Sequence, residues 1–314
     1  MSIEYSTKEG SVKAASNINF TLEKAKVLGL AGESGSGKTT IALALLRLLP
    51  SNAILKSGSV FLDGQNILEL PENALRKEIR WKRISLVSQA AMNALNPVFR
   101  VGEQIKEAIL AHSDVSDKEA EQRVKELLEE VGISQERYAS YPHELSGGMR
   151  QRAIIAMALA LNPDIVIADE PTTALDVIVQ AQILLLLKRL QTSKKLSMIL
   201  ITHDLSLIAE MCDNAAIIYA GQIVEYASTR EVFRNPSHPY TMGLMAAIPK
   251  VYAPKTRLAS IAGSPPDLIN LPRGCKFASR CKFATQKCVQ EEPPLEEISP
   301  GHFSKCWYAR EIGQ

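Results

Sequence analysis

The stretch Gly32-Glu33-Ser34-Gly35-Ser36-Gly37-Lys38-Thr39 decides how the rest of this 314-residue chain is read. It fits G-x-x-x-x-G-K-[ST], the phosphate-binding loop. Before it, Val27-Leu28-Gly29-Leu30-Ala31 is a short apolar run with the look of a buried strand. After it, Thr39 to Leu49 has helical composition and stops at Pro50. Strand, glycine-rich turn, helix is the context the motif needs. The glycines let backbone N–H groups close on the β- and γ-phosphates, and the helix N-terminus adds partial positive charge. Gly32, Ser34, Gly35, Gly37, Lys38, Thr39 and Thr40 are thus candidate nucleotide-binding residues, with the Thr39 hydroxyl a candidate ligand for Mg²⁺.

The chain is long enough for one large domain or two smaller ones. Its formal charge of +2 gives no argument for nucleic acid. The polar start, Met1 to Lys8, lacks the apolar core of a signal peptide. No apolar run approaches the ~20 residues of a membrane helix. A cytosolic location is expected, with any membrane role exercised through partners. Five cysteines are present, and four follow position 270. Clustered cysteines in a cytosolic protein point to metal rather than disulfides.

Tyr5 lies in an extended-looking stretch upstream of the loop. It is a candidate to stack on adenine, with an ordinary strand aromatic as the other reading. Asn17 to Leu22 alternates and reads as a strand; Ser59 to Leu62 followed by Asp63-Gly64 reads as a hairpin strand and turn. Arg83 to Ser88 is a further strand that ends at Gln89. Beyond Val101 the pattern is helical. Ser116-Asp117-Lys118-Glu119 forms a capping box, Val124, Leu127, Leu128 and Val131 share one face, and Gly132 supplies a stop. Asp164 to Asp169 reads as a buried parallel strand, Val177 to Leu190 as an apolar helix, and Ser197 to Thr202 as a strand delivering His203. Ala215 to Tyr219 and Ile223 to Tyr226 read as a hairpin around Gly221. Past Asn235-Pro236 prolines become frequent and long periodic helices disappear.

A phosphate loop alone is shared by kinases, GTPases and motors, so other residues must discriminate. Asp169, ending its apolar strand, would hold Mg²⁺, and Glu170 beside it could polarise the attacking water. Leu145-Ser146-Gly147-Gly148-Met149-Arg150-Gln151-Arg152 opens another helix with small residues whose bare N–H groups suit an anion. A second anion site makes sense if it addresses a nucleotide held by another chain.

These motifs, in this order and spacing, resemble the ATP-binding-cassette family over roughly the first three quarters of the chain. The resemblance implies an α/β fold: a P-loop NTPase (RecA-like) core with an antiparallel β portion and a helical insertion, here about residues 92–160. The cassette would span residues 1–232. It implies a head-to-tail dimer holding two ATP molecules, in which Ser146, Gly147 and Gly148, with Gln151 in the same stretch, contact the partner's ATP. Gln89 would touch Mg²⁺ and sense the nucleotide, His203 would hold the γ-phosphate, and Asp176 would lie across the dimer. Glu170 and His203 would act in hydrolysis.

The segment Asn235 to Thr241, followed by Leu244 to Pro249, is similar to one shared by oligopeptide, dipeptide and nickel importers. Cys275, Cys281, Cys288 and Cys306 are similar to the cysteine-bearing tail of oligopeptide/dipeptide import ATPases. A small, irregular tail over residues 233–314 is expected. In such relatives the four thiolates are thought to hold a four-iron, four-sulfur cluster. Here Arg273, Lys276, Arg280, Lys282, Lys287 and Lys305 would offset its charge. The spacings alone name no metal, and zinc is the alternative. Cys212 is expected to be a core thiol, and His238 and His302 turn or cap residues. The implied partners are a second ATPase subunit, identical or related, two membrane permease subunits and an extracytoplasmic solute-binding protein, with no nucleic acid. The implied place is the cytoplasmic face of the membrane. Oligosaccharide or nickel import, or a soluble cassette without a transport role, are the alternative functions.

Overall fold

The computed structural model describes residues 1–88, 94–247 and 261–312. In chain order the strands are β1 (Ser2–Thr7), β2 (Gly10–Ala15), β3 (Val27–Ala31), β4 (Ala53–Ser57), β5 (Phe61–Leu62), β6 (Gln65–Asn66) and β7 (Ile84–Val87). They continue with β8 (Ile165–Asp169), β9 (Ser197–Thr202), β10 (Asn214–Tyr219), β11 (Gln222–Ser228), β12 (Glu296–Ser299) and β13 (His302–Ser304). The chain divides into two compact units. One comprises Met1–Thr21, Val27–Val60 and Leu200–Gln314, the other Leu22–Lys26 and Phe61–Ile199. The chain passes from one unit to the other within β9.

In the first unit, β1 pairs antiparallel with both β2 and β4. A second sheet portion runs β12-β13-β11-β10-β3. All five residues of β3 are buried, as its continuous apolar run requires. It lies parallel to β10, with Leu30 opposite Ala216. Strands β10 and β11 form the expected hairpin, turning through Ala220 (φ 47°) and Gly221 (φ 76°). A β-carbon at Gly29 in β3 would strike Ile208 and Cys212 of the Leu205–Met211 helix and its cap. Cys212 is therefore the core thiol expected. Burial pushes its pKa up to about 12.

The second unit carries the β5–β6 hairpin, turned at Asp63 (φ 48°) and Gly64 (φ 84°) as its Asp-Gly pair predicts. Parallel strands β7 and β8 lie side by side. Helices Val101–Leu110, Asp117–Glu130 and Gly147–Ala158 follow β7 in sequence. Both halves of the Ser116–Glu119 capping box are formed. Ile105, Val124, Leu127, Leu128, Ile154 and Ile155 are buried among these helices.

Two local expectations are corrected. Asn17 to Leu22 is not a strand. Asn17 takes φ 53°, and Ile18 instead exchanges backbone hydrogen bonds with Met1, while Gly10–Ala15 supplies the strand. The helix after the phosphate loop runs only Lys38–Leu45, short of Leu49. Arg47 turns left-handed (φ 51°), and the Leu48 N–H closes back onto Leu43 O at 2.8 Å. This backbone closure satisfies carbonyls that another helical turn would otherwise have used.

The tail is more ordered than its proline content implies. β12 and β13 pair, and β13 continues the sheet beyond β11, with Tyr226 opposite Phe303. Glu225, fully buried in β11, accepts hydrogen bonds from Ser237 N (2.7 Å) and His238 N (3.0 Å), and lies 2.8 Å from His302 Nε2. That satisfied carboxylate binds three tail residues to the hairpin.

Candidate nucleotide site and cysteine recess

The phosphate loop follows a fully buried strand and is closed by its own lysine. Lys38 is 5% exposed, and its Nζ donates to Gly32 O (2.8 Å) and Glu33 O (2.9 Å), with Ser36 Oγ at 3.4 Å. The ammonium thus lies inside the curl where phosphates would enter. Gly37 has φ 101°, and a β-carbon there would sit 2.0 Å from Ala14 O. Only glycine fits, for space and for dihedral. Ser34, Gly35 and Thr39 are exposed, so their polar groups remain open to a ligand. The Tyr5 hydroxyl lies 3.1 Å from Thr40 Oγ1, which sets this ring beside the start of the Lys38–Leu45 helix. His203 directly follows β9 and is exposed, while Asp204 caps the next helix through Ser206 N.

In the second unit Asp169 ends β8 with 2% exposure. Glu170 follows with φ 47°, a left-handed backbone uncommon for this residue type. Its carboxylate accepts from Thr173 Oγ1 at 2.9 Å. This bend turns the chain sharply away after the strand, and Asp176 then caps Val177–Lys194 through Val179 N (3.0 Å). Ser146 caps the Gly147–Ala158 helix by accepting from Met149 N. A β-carbon on Gly148 would meet Val179 Cγ1 at 2.6 Å, so glycine lets the two helix starts approach. Gln151 is 3% exposed, and its Nε2 has no hydrogen-bond partner among the described residues. Gln89 lies outside the described residues.

In the tail all four cysteines line one apolar recess, bounded also by His238, Phe277, Pro293 and Trp307. The thiols are free. Burial raises the pKa of Cys275, Cys281 and Cys306, the last to about 11, and the neighbouring thiols push in the same direction. His238 is the helix cap expected: its Nδ1 accepts from Tyr240 N at 3.1 Å, and burial pushes its pKa down to about 3.

The cations expected to offset the thiols have further partners, and the Lys282 charge does act on Cys281, drawing its pKa down against burial. Lys276 and Lys305 each sit 2.9 Å from Glu292. Arg280 makes a two-pronged bond to Glu33 of the phosphate loop, at 2.9 and 3.0 Å. Lys287 lies over the Trp307 ring at 3.7 Å, and Lys282 over Phe283 at 4.9 Å. Carboxylates already claim three of the cations, because folding brought Glu292 and Glu33 to them from afar. Sequence proximity had no means of revealing that.

A family model described as ABC transporter matches residues 15–173. The chain is 46% identical over 308 residues to the dipeptide transport ATP-binding protein DppD of Lactococcus lactis, covering 97% of this chain and 88% of the relative. This chain belongs to the ABC transporter family. It is an ATPase of that family, built on the P-loop cassette fold. It is also 45% identical to the oligopeptide transport ATP-binding protein OppD of Escherichia coli, over 97% of this chain and 90% of that one. A model described as the C-terminal region of oligopeptide/dipeptide transporters matches residues 224–288 of the cassette protein, a span that includes three of the four recess cysteines. Among solved structures, a dimeric, post-hydrolysis form of the ATP-binding cassette MJ0796 bound to ADP and Pi is similar, with a TM-score of 0.64 at 28% identity. It covers 73% of this chain and 96% of that one. The cassette of cbiO1 from Clostridium perfringens is likewise similar, with a TM-score of 0.63 at 26% identity, over 74% of this chain and 88% of that one.

Proposed function

We propose that this ABC ATPase energises import of oligopeptides or dipeptides through a membrane transporter. The observation that carries the reading is one chain with a closed phosphate loop and a tail of the oligopeptide/dipeptide transporter type. In this reading residues 1–232 form the cassette, with the helical insertion at about 92–160, and residues 233–314 form the tail. No helix among the described residues is long and apolar enough to cross a membrane. The chain works at the cytoplasmic face, bound to two permease subunits, with a solute-binding protein outside and no nucleic acid.

The loop N–H groups and Lys38 bind the phosphates, and Tyr5 stacks on the base. Thr39, Asp169 and Gln89 would hold Mg²⁺; a buried carboxylate at a strand end and an exposed hydroxyl are suitable hard oxygen donors. When bound, the metal would supply charge neutralisation for the polyphosphate. Glu170 orients and polarises the attacking water, and His203 holds the γ-phosphate. A second cassette, identical or related, presents its Ser146, Gly147 and Gly148 to complete the site, with Gln151 behind them and Asp176 across the interface. Support for pairing comes from the dimeric state of the similar cassette MJ0796.

The four tail thiols, on this reading, would hold a four-iron, four-sulfur cluster. Support comes from their convergence on one recess. Among the described residues no group of three or more His, Cys, Asp or Glu is placed to hold a metal ion. The raised pKa values of Cys275, Cys281 and Cys306 also mean that these three ionise together only when a cation compensates them.

Glu170→Gln tests the catalytic assignment. The variant retains ATP, accumulates as a dimer by sedimentation, and loses at least about a hundredfold in turnover. Normal turnover rejects Glu170 as the base. Failure to co-purify with integral membrane permeases rejects transport. Anaerobically purified wild-type protein contains iron and absorbs in the visible; zinc without iron rejects the cluster.

A further inference from the structure

The conserved chemistry of a phosphate loop lies in its backbone amides, yet here the loop carries a carboxylate. Glu33 sits among the groups that must receive a highly negative polyphosphate, and it is answered from the far end of the chain. Arg280 Nη1 and Nη2 bond its two oxygens at 2.9 and 3.0 Å, the fork-to-fork geometry that is strongest for this pair. The Arg280 side chain is 5% exposed and is fixed further by Ala262 O (3.0 Å), Tyr219 Oη (3.3 Å) and the Tyr219 ring, 5.6 Å away. The Glu33 N–H donates to Tyr240 Oη at 3.0 Å. Tyr240 is fully buried and packs on Tyr219 and Phe277 at centroid separations of 4.6 and 5.4 Å. Phe277 in turn lines the cysteine recess, and Arg280 immediately precedes Cys281.

We propose that Arg280 and Tyr240 are positioning residues for the nucleotide site: the tail grips the phosphate loop at Glu33, cancels its charge, and so sets the affinity for ATP. The two groups act on different parts of Glu33. Tyr240 fixes the backbone, while Arg280 removes a like charge that would repel the polyphosphate. The tail is thus part of the ATP-binding apparatus rather than an appendage to it. The inference rests on the loop being the nucleotide site.

The test is ATP affinity of the full chain by calorimetry at low temperature, at two salt concentrations, with thermal melting recorded alongside. Arg280→Ala weakens ATP binding on the order of tenfold at low salt, and the loss shrinks at high salt because screening relieves an uncompensated charge. The pair Glu33→Gln/Arg280→Ala recovers to within about threefold of Glu33→Gln alone, since no charge then remains to cancel. Tyr240→Phe weakens binding less, with little salt dependence. Arg280→Gln, closer in shape to arginine, repeats the series if the alanine variant does not fold. Wild-type affinity in Arg280→Ala overturns the proposal. A defect that Glu33→Gln does not relieve also overturns it, because Arg280 would then act only on the fold of the tail. Absence of ATP binding by the wild type would instead reject the loop itself as the nucleotide site.

Discussion

Gly37 and Glu33 stand four residues apart in one loop, and each is legible to a different degree. Gly37 belongs to a motif whose glycine is required by sterics, and its φ of 101° with Ala14 O in the way gives the physical reason. Gly37→Ala is expected to destabilise the chain by about 1–3 kcal/mol and to abolish nucleotide binding, as read by melting temperature and ATP titration. Glu33 occupies a variable position of the same motif, so nothing local assigned it a partner. Its arginine lies 247 residues away. Cys212 was legible as a core thiol because it stands alone on a helix, whereas the carboxylate partners of the tail cations were not, because those pairs form in space rather than along the sequence.

At the scale of elements, helix starts read better than helix ends. Ser116, Ser146 and Asp176 each accept from a backbone N–H of the first turn, a bond that serine and aspartate side chains suit. The end of the Lys38–Leu45 helix depends instead on a backbone closure through Arg47, whose side chain advertises nothing. Contacts between elements were also out of reach. Gly148 reads as a flexible residue at a helix start, yet its role is to let Val179 approach. Gly148→Ala should cost about 1–3 kcal/mol through overpacking. Adding Val179→Ala should return part of that loss, measured by denaturant unfolding. Equal stability of Gly148→Ala and wild type would show that the two helix starts do not need this close approach.

For the molecule as a whole, the tail is fastened to the hairpin by polar groups that titrate. Burial tends to raise the pKa of Glu292, but hydrogen bonds from Lys276, Lys305 and Gln222 outweigh it and hold the group down at about 2. A carboxylate whose folded pKa lies below its ordinary value of 4.5 stabilises the fold fully above that pH. The contribution fades as pH falls from about 4.5 through about 2. Glu292→Gln should therefore lower the melting temperature at neutral pH and flatten its decline across this acid window. An unchanged acid limb would place the tail's pH sensitivity elsewhere.

The amino-acid sequence by itself determined the phosphate loop, its flanking strand, the acid-ended strand at Asp169, the serine-capped helix and the family they define. Each rests on periodicity or on short-range sterics, which act within about ten residues. Tertiary structure alone decided that β13 joins β11 and that Arg280 grips Glu33. Those pairings join segments far apart along the chain. Their partners are chosen by burial and charge compensation in the folded state, and no local pattern encodes which distant residue will arrive.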